Sequence, residues 1–171
     1  KNIFLIIFLS ILGVTIFNSF TYIALQTTLV LNSSLLASIA PVLIIGLSWK
    51  IYKTQTTNLQ FIGIFLSLFG VFCIILKGNL SNLYDLYFTP GDIWMLIAVI
   101  CWSLYSVLLK KIDTKLQQLA TLEVMIFLGL IFILPFYIFE SLSQGFYPSN
   151  SIDLLIIFYV AIFAGIFAFF C

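Results

Sequence analysis

Residues 91–111 read GDIWMLIAVICWSLYSVLLKK, and this stretch shows the pattern that recurs along the whole chain. An apolar run from Ile93 to Leu109 is bounded by Gly91-Asp92 on one side and by Lys110-Lys111 on the other. A helix that crosses a bilayer needs about 20 mostly apolar residues to span a hydrocarbon core of about 30 Å. The stretch therefore predicts a transmembrane helix with polar groups at both ends.

Five further windows of the same kind lie on either side of this one. The six windows run over Ile3–Tyr22, Leu29–Trp49, Leu59–Leu76, Ile93–Leu109, Leu119–Phe139 and Ile152–Cys171. Lipid offers no partner to free backbone groups, so each window forms a helix or part of a closed barrel. Barrel strands alternate polar and apolar residues, whereas these runs are continuous. The sequence therefore predicts an all-α membrane protein, a multi-pass bundle of transmembrane helices.

The composition excludes most other classes of protein. Of 171 residues, 63% are hydrophobic and 8% are charged, against about 25% charged residues in ordinary globular domains. The chain has no histidine and no arginine, and its three cysteines lie far apart in apolar runs. We therefore expect no metal centre, no cofactor, no disulfide framework and no nucleic-acid partner. The expected partners are the lipid bilayer and a small-molecule substrate. A second copy of the chain, in a homodimer, is a further candidate partner.

An intramembrane enzyme is the rival from another functional class. Such an enzyme needs an activated nucleophile or a metal inside the bilayer. The chain has no histidine to serve either purpose, and no two carboxylates share one predicted helix. We therefore expect the protein not to be an enzyme.

The lysines predict the orientation in the membrane. Six of the seven fall on one side of the predicted bundle, namely Lys1, Lys50, Lys53, Lys110, Lys111 and Lys115, and only Lys77 falls on the other. Lysine-rich loops face the cytoplasm. We therefore expect residues 50–58 and 110–118 to be cytoplasmic, in a protein of the plasma (inner) membrane.

Polar residues interrupt the second window around a proline. Ser34, Ser38 and Pro41 follow one another at helical spacing, after Asn32. Pro41 cannot donate a hydrogen bond to the carbonyl of Ala37, which favours a kink at this point. Proline-interrupted helices near the midplane mark transporter binding sites. The alternative is a packing kink whose serines bond back to their own helix.

Aromatic and polar groups in two other windows are further candidates for a pathway. Trp102 lies in the middle of its window, with Tyr105 one turn further on. A buried indole or phenol needs a hydrogen-bond partner, which either a hydrated cavity or a neighbouring helix supplies. Asn18 and Tyr22 in the first window either line a pathway or bridge helices. Glu123, near the start of the fifth window, predicts either proton coupling or a carboxylate held at a helix N-terminus.

Three segments carry a family resemblance. YIALQ (residues 22–26), NSSLLASIAP (residues 32–41) and residues 91–111 resemble EamA-type transporters of the drug/metabolite transporter superfamily. Such proteins have ten helices in two inverted five-helix repeats. The resemblance implies that this chain is an internal part of a longer protein, covering helices three to eight. Residues 1–77 would end the first repeat, residues 78–92 form an external loop, and residues 93–171 begin the second repeat.

The resemblance also implies a function. It indicates a permease that exports small polar metabolites, such as amino acids, by alternating access through a cavity between the repeats. The residues expected to line the pathway are Asn18, Tyr22, Asn32, Ser38, Pro41, Trp102 and Tyr105. The alternatives are a nucleotide-sugar or sugar-phosphate carrier, which the absence of arginine disfavours, and a non-transporting helical membrane subunit.

Overall fold

The computed structural model describes residues 2–54, 57–76, 88–112, 118–145, 148 and 150–163. Within these ranges every regular element is helical. The elements are α1 (Asn2–Ser10), a π-helical segment (Ile11–Ile16), α2 (Phe17–Leu25), α3 (Val30–Ala37), α4 (Ala40–Tyr52), α5 (Asn58–Leu76), α6 (Pro90–Leu109), α7 (Gln118–Gln144) and α8 (Ser151–Val160). The prediction of an all-α multi-pass membrane protein is confirmed.

Four helical stretches in the described residues are long and apolar enough to cross a membrane. They are Ile3–Leu25, Val30–Tyr52, Pro90–Leu109 and Ala120–Ser143. Asn58–Gly70 and Ser151–Phe163 are shorter apolar helices that correspond to the third and sixth predicted windows. The end of the sixth window and most of the predicted loop over residues 78–92 lie outside the described residues.

The first span is continuous but contains a π-helical segment that the sequence did not predict. Phe17 N–H bonds to the carbonyl of Leu12, five residues back instead of four. Gly13 lies in this segment, buried against another helix: a Cβ atom placed on it would lie 2.5 Å from Cδ2 of Tyr105. Glycine is therefore what permits the two helices to approach so closely here.

The second span is broken where the sequence predicts an interruption. α3 ends at Ala37, Ser38 and Ile39 form a turn, and Pro41 occupies the first turn of α4. A proline suits that position because the first turn of a helix has no intrahelical use for its N–H group.

The chain divides into two compact units, Lys1–Phe132 and Ile133–Cys171. In the first unit, α6 packs against the π-helical segment, α2, α3 and α4. Two apolar clusters hold these helices together. One contains Leu9, Leu12, Tyr105 and Met125, and the other contains Ala24, Met95 and Val99.

The second unit contains the remainder of α7, which continues through Pro135, and α8. A capping box begins α8: the N–H of Asn150 donates to Oδ2 of Asp153 at 3.2 Å. The rings of Tyr159 and Phe163 lie 4.8 Å apart.

Candidate functional site

α2 and α6 run antiparallel, and their contacts place most of the candidate residues. Along this contact, the residue numbers on α2 and the π-helical segment decrease while those on α6 increase. The pairs are Gly91 with Ala24, Trp94 with Phe20, Trp102 with Phe17, and Tyr105 with Gly13. The resulting row of aromatic contacts passes through the middle of both spans.

Trp102 and Tyr105 differ in their surroundings. The Trp102 ring lies 4.7 Å from that of Phe17 and 5.3 Å from that of Tyr105, and 37% of the residue is exposed. Tyr105 is 8% exposed and belongs to the cluster around Leu9 and Met125. Trp102 therefore presents free ring surface, whereas Tyr105 packs inside the unit. Their assignment to a substrate pathway stays a prediction.

The break between α3 and α4 lies against α6. The Ser38 hydroxyl donates to Leu35 O at 2.6 Å, and that of Ser34 donates to Val30 O at 2.8 Å. Both serines are thus bonded back to their own helix. The hydroxyl of Ser103 on α6 lies 2.7 Å from Val99 O and 3.5 Å from Ala40 O, next to exposed Pro41.

Three of the four remaining predicted candidates, Asn18, Tyr22 and Glu123, differ in their surroundings. The Asn18 side chain donates to Val14 O of its own helix at 2.7 Å. Tyr22 is 65% exposed at the end of α2. Glu123 is exposed on α7.

Asn32 belongs to a buried polar cluster centred on Asp92. Asp92 is only 2% exposed. Its Oδ1 accepts a hydrogen bond from the Thr28 hydroxyl. Its Oδ2 accepts one from Nδ2 of Asn32 at 3.1 Å and one from the N–H of Thr89 at 2.7 Å. Three donors on two carboxylate oxygens suit the ionised form, which only accepts.

The local sequence explains how Asp92 reaches this position. Thr89 is the N-cap of α6 and Asp92 is the third helical residue, so the two form a capping box with Pro90 between them. Gly91 then allows close approach: a Cβ atom there would lie 2.5 Å from Ala24 O and 2.7 Å from Thr28 N. The turn after α2 therefore sits directly on the start of α6.

The sequence placed Asp92 only near the helix start, and its burial and partners were missed. One available signal was the spacing from Thr89 to Asp92. Another was the pair Thr28 and Asn32, one helical turn apart at an end of the second window. In the described part of the chain, no three His, Cys, Asp or Glu side chains group to hold a metal ion.

Known proteins similar to this chain are transporters by name. It is 28% identical over 141 residues to the uncharacterized transporter YyaM of Bacillus subtilis, covering 82% of this chain and 46% of that protein. It is 28% identical over 170 residues to the uncharacterized transporter YetK of the same organism, covering 99% and 52%. An uncharacterized transporter of Archaeoglobus fulgidus is 29% identical over 163 residues, covering 94% and 54%.

The chain thus spans about half the length of the curated relatives that it matches. No solved structure matches it. The model of the EamA-like transporter family matches residues 1–76 and 89–171, which is nearly the whole chain. The chain therefore belongs to the EamA-like transporter family and forms part of an integral membrane protein.

Proposed function

We propose that the full-length protein exports small polar metabolites, with amino acids as the substrate class, by alternating access through a cavity between its two repeats. Membership of a transporter family and the names of the relatives support the transport part of this proposal. The substrate class rests on the chemistry of the broken second span.

The observation that carries the proposal is the break at Ser38 and Ile39, near the middle of the span Val30–Tyr52. Irregular backbone at membrane depth is tolerated only where protein buries it or where it lines a cavity. In secondary transporters, substrate sites lie near the midplane, typically at interrupted helices. The break therefore marks the best-supported position for a substrate in this chain.

The break suits a substrate that donates hydrogen bonds. The N–H groups of Ser38 and Ile39 are bonded within the turn, whereas Pro41 has no N–H to offer to the carbonyl of Ala37. A free amino acid carries an ammonium group that can donate to such a carbonyl. Trp102 supplies exposed ring surface on the neighbouring helix for an apolar side chain.

The residues proposed to line the pathway are those that the sequence indicated. We propose Ser38, Pro41 and Trp102 for the centre of the pathway, and the others are Asn18, Tyr22, Asn32 and Tyr105. It also retains the orientation. The described lysines Lys50, Lys53, Lys110 and Lys111 would lie on the cytoplasmic side of the plasma membrane.

The test is counterflow with the purified full-length protein in liposomes. The vesicles are loaded with a mixture of unlabelled amino acids, and uptake of each labelled amino acid is followed against empty liposomes. Parallel vesicles are loaded with sugar phosphates and nucleotide sugars. We expect transient accumulation of at least one amino acid and none of the phosphorylated compounds. Counterflow of the phosphorylated compounds alone would replace the substrate class, and an absence of counterflow throughout would contradict the proposed function.

A further inference from the structure

A carboxylate buried at the end of a membrane span is a feature that the pathway above does not use. Asp92 lies in the first turn of the span Pro90–Leu109 and is almost fully buried. Ionisable groups in such positions are costly and are characteristic of ion pathways. We propose that Asp92 is a proton-binding site that couples proton movement to transport. This inference rests on the proposed transport function and deepens it.

Helix capping alone does not account for the position of Asp92. α8 begins with the same device, in which Asp153 accepts from the N–H of Asn150, yet Asp153 is only partly buried. Asp92 is buried and also binds Thr28 and Asn32, which lie more than 50 residues away in the chain. Asp92 and Asp153 are therefore capping aspartates of the same kind that differ in their burial.

The charge of Asp92 is held by neutral donors. Lys110 lies at the opposite end of α6 from Asp92, about 27 Å away at about 1.5 Å per residue. Lys50 and Lys53 lie at the end of α4 that contacts this Lys110 end of α6. The turn at residues 26–29 and α3 contain no ionisable side chain, and neither do α1 and the π-helical segment.

The other titratable groups on the packed helices are also distant or exposed. On α2 the only one is Tyr22, which is exposed. On α4, Tyr52 bonds to the far end of α6. On α6, Cys101 and Tyr105 follow two or more turns after Asp92. In the described part of the chain, no lysine therefore lies beside this carboxylate.

The hydrogen-bonding partners of Asp92 are compatible with its reversible protonation. The Thr28 hydroxyl and the Asn32 amide can each either donate or accept, whereas the N–H of Thr89 only donates. When Thr28 and Asn32 engage, their donors stabilise the anion. When α6 moves away from them, the charge is left among apolar groups, where a proton binds to neutralise it.

One O–H bond forms and breaks in this cycle. The proton comes from water when the contact opens, and it returns to water when Thr28 and Asn32 engage again. In the structure, Thr28 and Asn32 are engaged with Asp92.

The test compares Asp92→Asn with Asp153→Asn in the full-length protein in liposomes. Two readouts are taken for each: counterflow at equal pH on both sides, which needs no net proton movement, and accumulation of the same labelled amino acid driven by a pH gradient. We expect the wild type and Asp153→Asn to show both. Asp92→Asn should retain counterflow and lose accumulation driven by the gradient. Retained accumulation in Asp92→Asn, or its loss in Glu123→Gln instead, would overturn the proposal.

If Asp92→Asn fails to fold, Thr28→Val provides a second test of the proton site. Thr28→Val removes one donor to the anion, so the midpoint of the pH profile of transport should move to more alkaline pH. A loss of thermal stability with an unchanged pH profile would mean that the cluster is only structural.

A measurement without substrate tests the proton site separately from the proposed transport function. The infrared band of a protonated carboxyl group is followed in purified protein across the physiological pH range. A titrating band present in wild type and Asp153→Asn but missing in Asp92→Asn supports the proton site even if no substrate is found. Identical spectra for Asp92→Asn and wild type would overturn it.

Discussion

The hydroxyl of Tyr52 at the end of α4 donates a hydrogen bond to the carbonyl of Val107 in the last turn of α6, at 3.0 Å. The N–H of Lys111 bonds instead to Leu108 O at 2.9 Å, so the phenol satisfies a carbonyl at a helix end that needs a partner. The contact brings the lysine-bearing ends of α4 and α6 together. This shared end agrees with the lysine asymmetry from which the orientation was predicted.

Tyr52→Phe should lower the free energy of unfolding of the full-length protein by about 1 kcal/mol, the usual net contribution of such a hydrogen bond. The measurement is thermal or denaturant unfolding in detergent. Tyr159→Phe is the control, because Tyr159 is 62% exposed on α8. Equal effects of the two variants would contradict a capping role for Tyr52.

Gly13→Ala should destabilise the protein by about 1–3 kcal/mol, the scale of overpacking in a filled interior. The added methyl group would lie 2.5 Å from Cδ2 of Tyr105, so the ring or the helix must shift. Gly46→Ala is the matched control, since a Cβ atom there meets nothing within 4 Å. A melting temperature unchanged by Gly13→Ala would show that the two helices separate at little cost.

The helices follow from apolarity and length, and so the sequence predicts all six windows. The bounds differ where local chemistry extends a helix. α6 starts at Pro90, before Ile93, because the capping box with Thr89 adds a first turn. α7 continues to Gln144, beyond Phe139. The π-helical segment within the first window has no signature in composition or periodicity, and it lies where Gly13 packs against Tyr105 of α6.

The sequence predicts the break in the second span but not the buried polar cluster around Asp92. Pro41 predicts the break in the second span because the cause is covalent and local. The contact of Asp92 with Thr28 and Asn32 instead depends on how α6 crosses the turn after α2. Gly91 makes that crossing possible, but nothing in the local pattern indicates which turn it will meet.

The orientation predicts a labelling pattern in a full-length protein whose native cysteines are replaced. Single cysteines at positions 53 and 111 should resist a membrane-impermeant thiol reagent applied to intact cells, and a cysteine at position 144 should react. The physical reason is that Lys53 and Lys111 lie at the lysine-rich ends of their helices, which are retained in the cytoplasm. Labelling at position 53 or 111 in sealed cells would reverse the proposed orientation.

Trp102→Ala should weaken substrate binding by about 1–3 kcal/mol, the scale of losing a large aromatic contact. Trp94→Ala is a close control, because Trp94 is 40% exposed against 37% for Trp102 and likewise packs on a phenylalanine of α2. Affinity and thermal stability are measured for both variants. If Trp102→Ala lowers only stability, as Trp94→Ala would, the Trp102 ring serves packing rather than binding.

The claim that the break between α3 and α4 lines the substrate pathway is tested most directly by the reactivity of a cysteine at position 38. A water-soluble thiosulfonate reagent reacts with the thiolate, which forms readily in water and poorly in apolar surroundings. In the cysteine-free full-length protein, Ser38→Cys should react, and a transported amino acid should slow the reaction. Phe65→Cys, in the middle of α5, should stay unreactive. An unreactive cysteine at position 38, or a reaction that substrate does not slow, would contradict the claim.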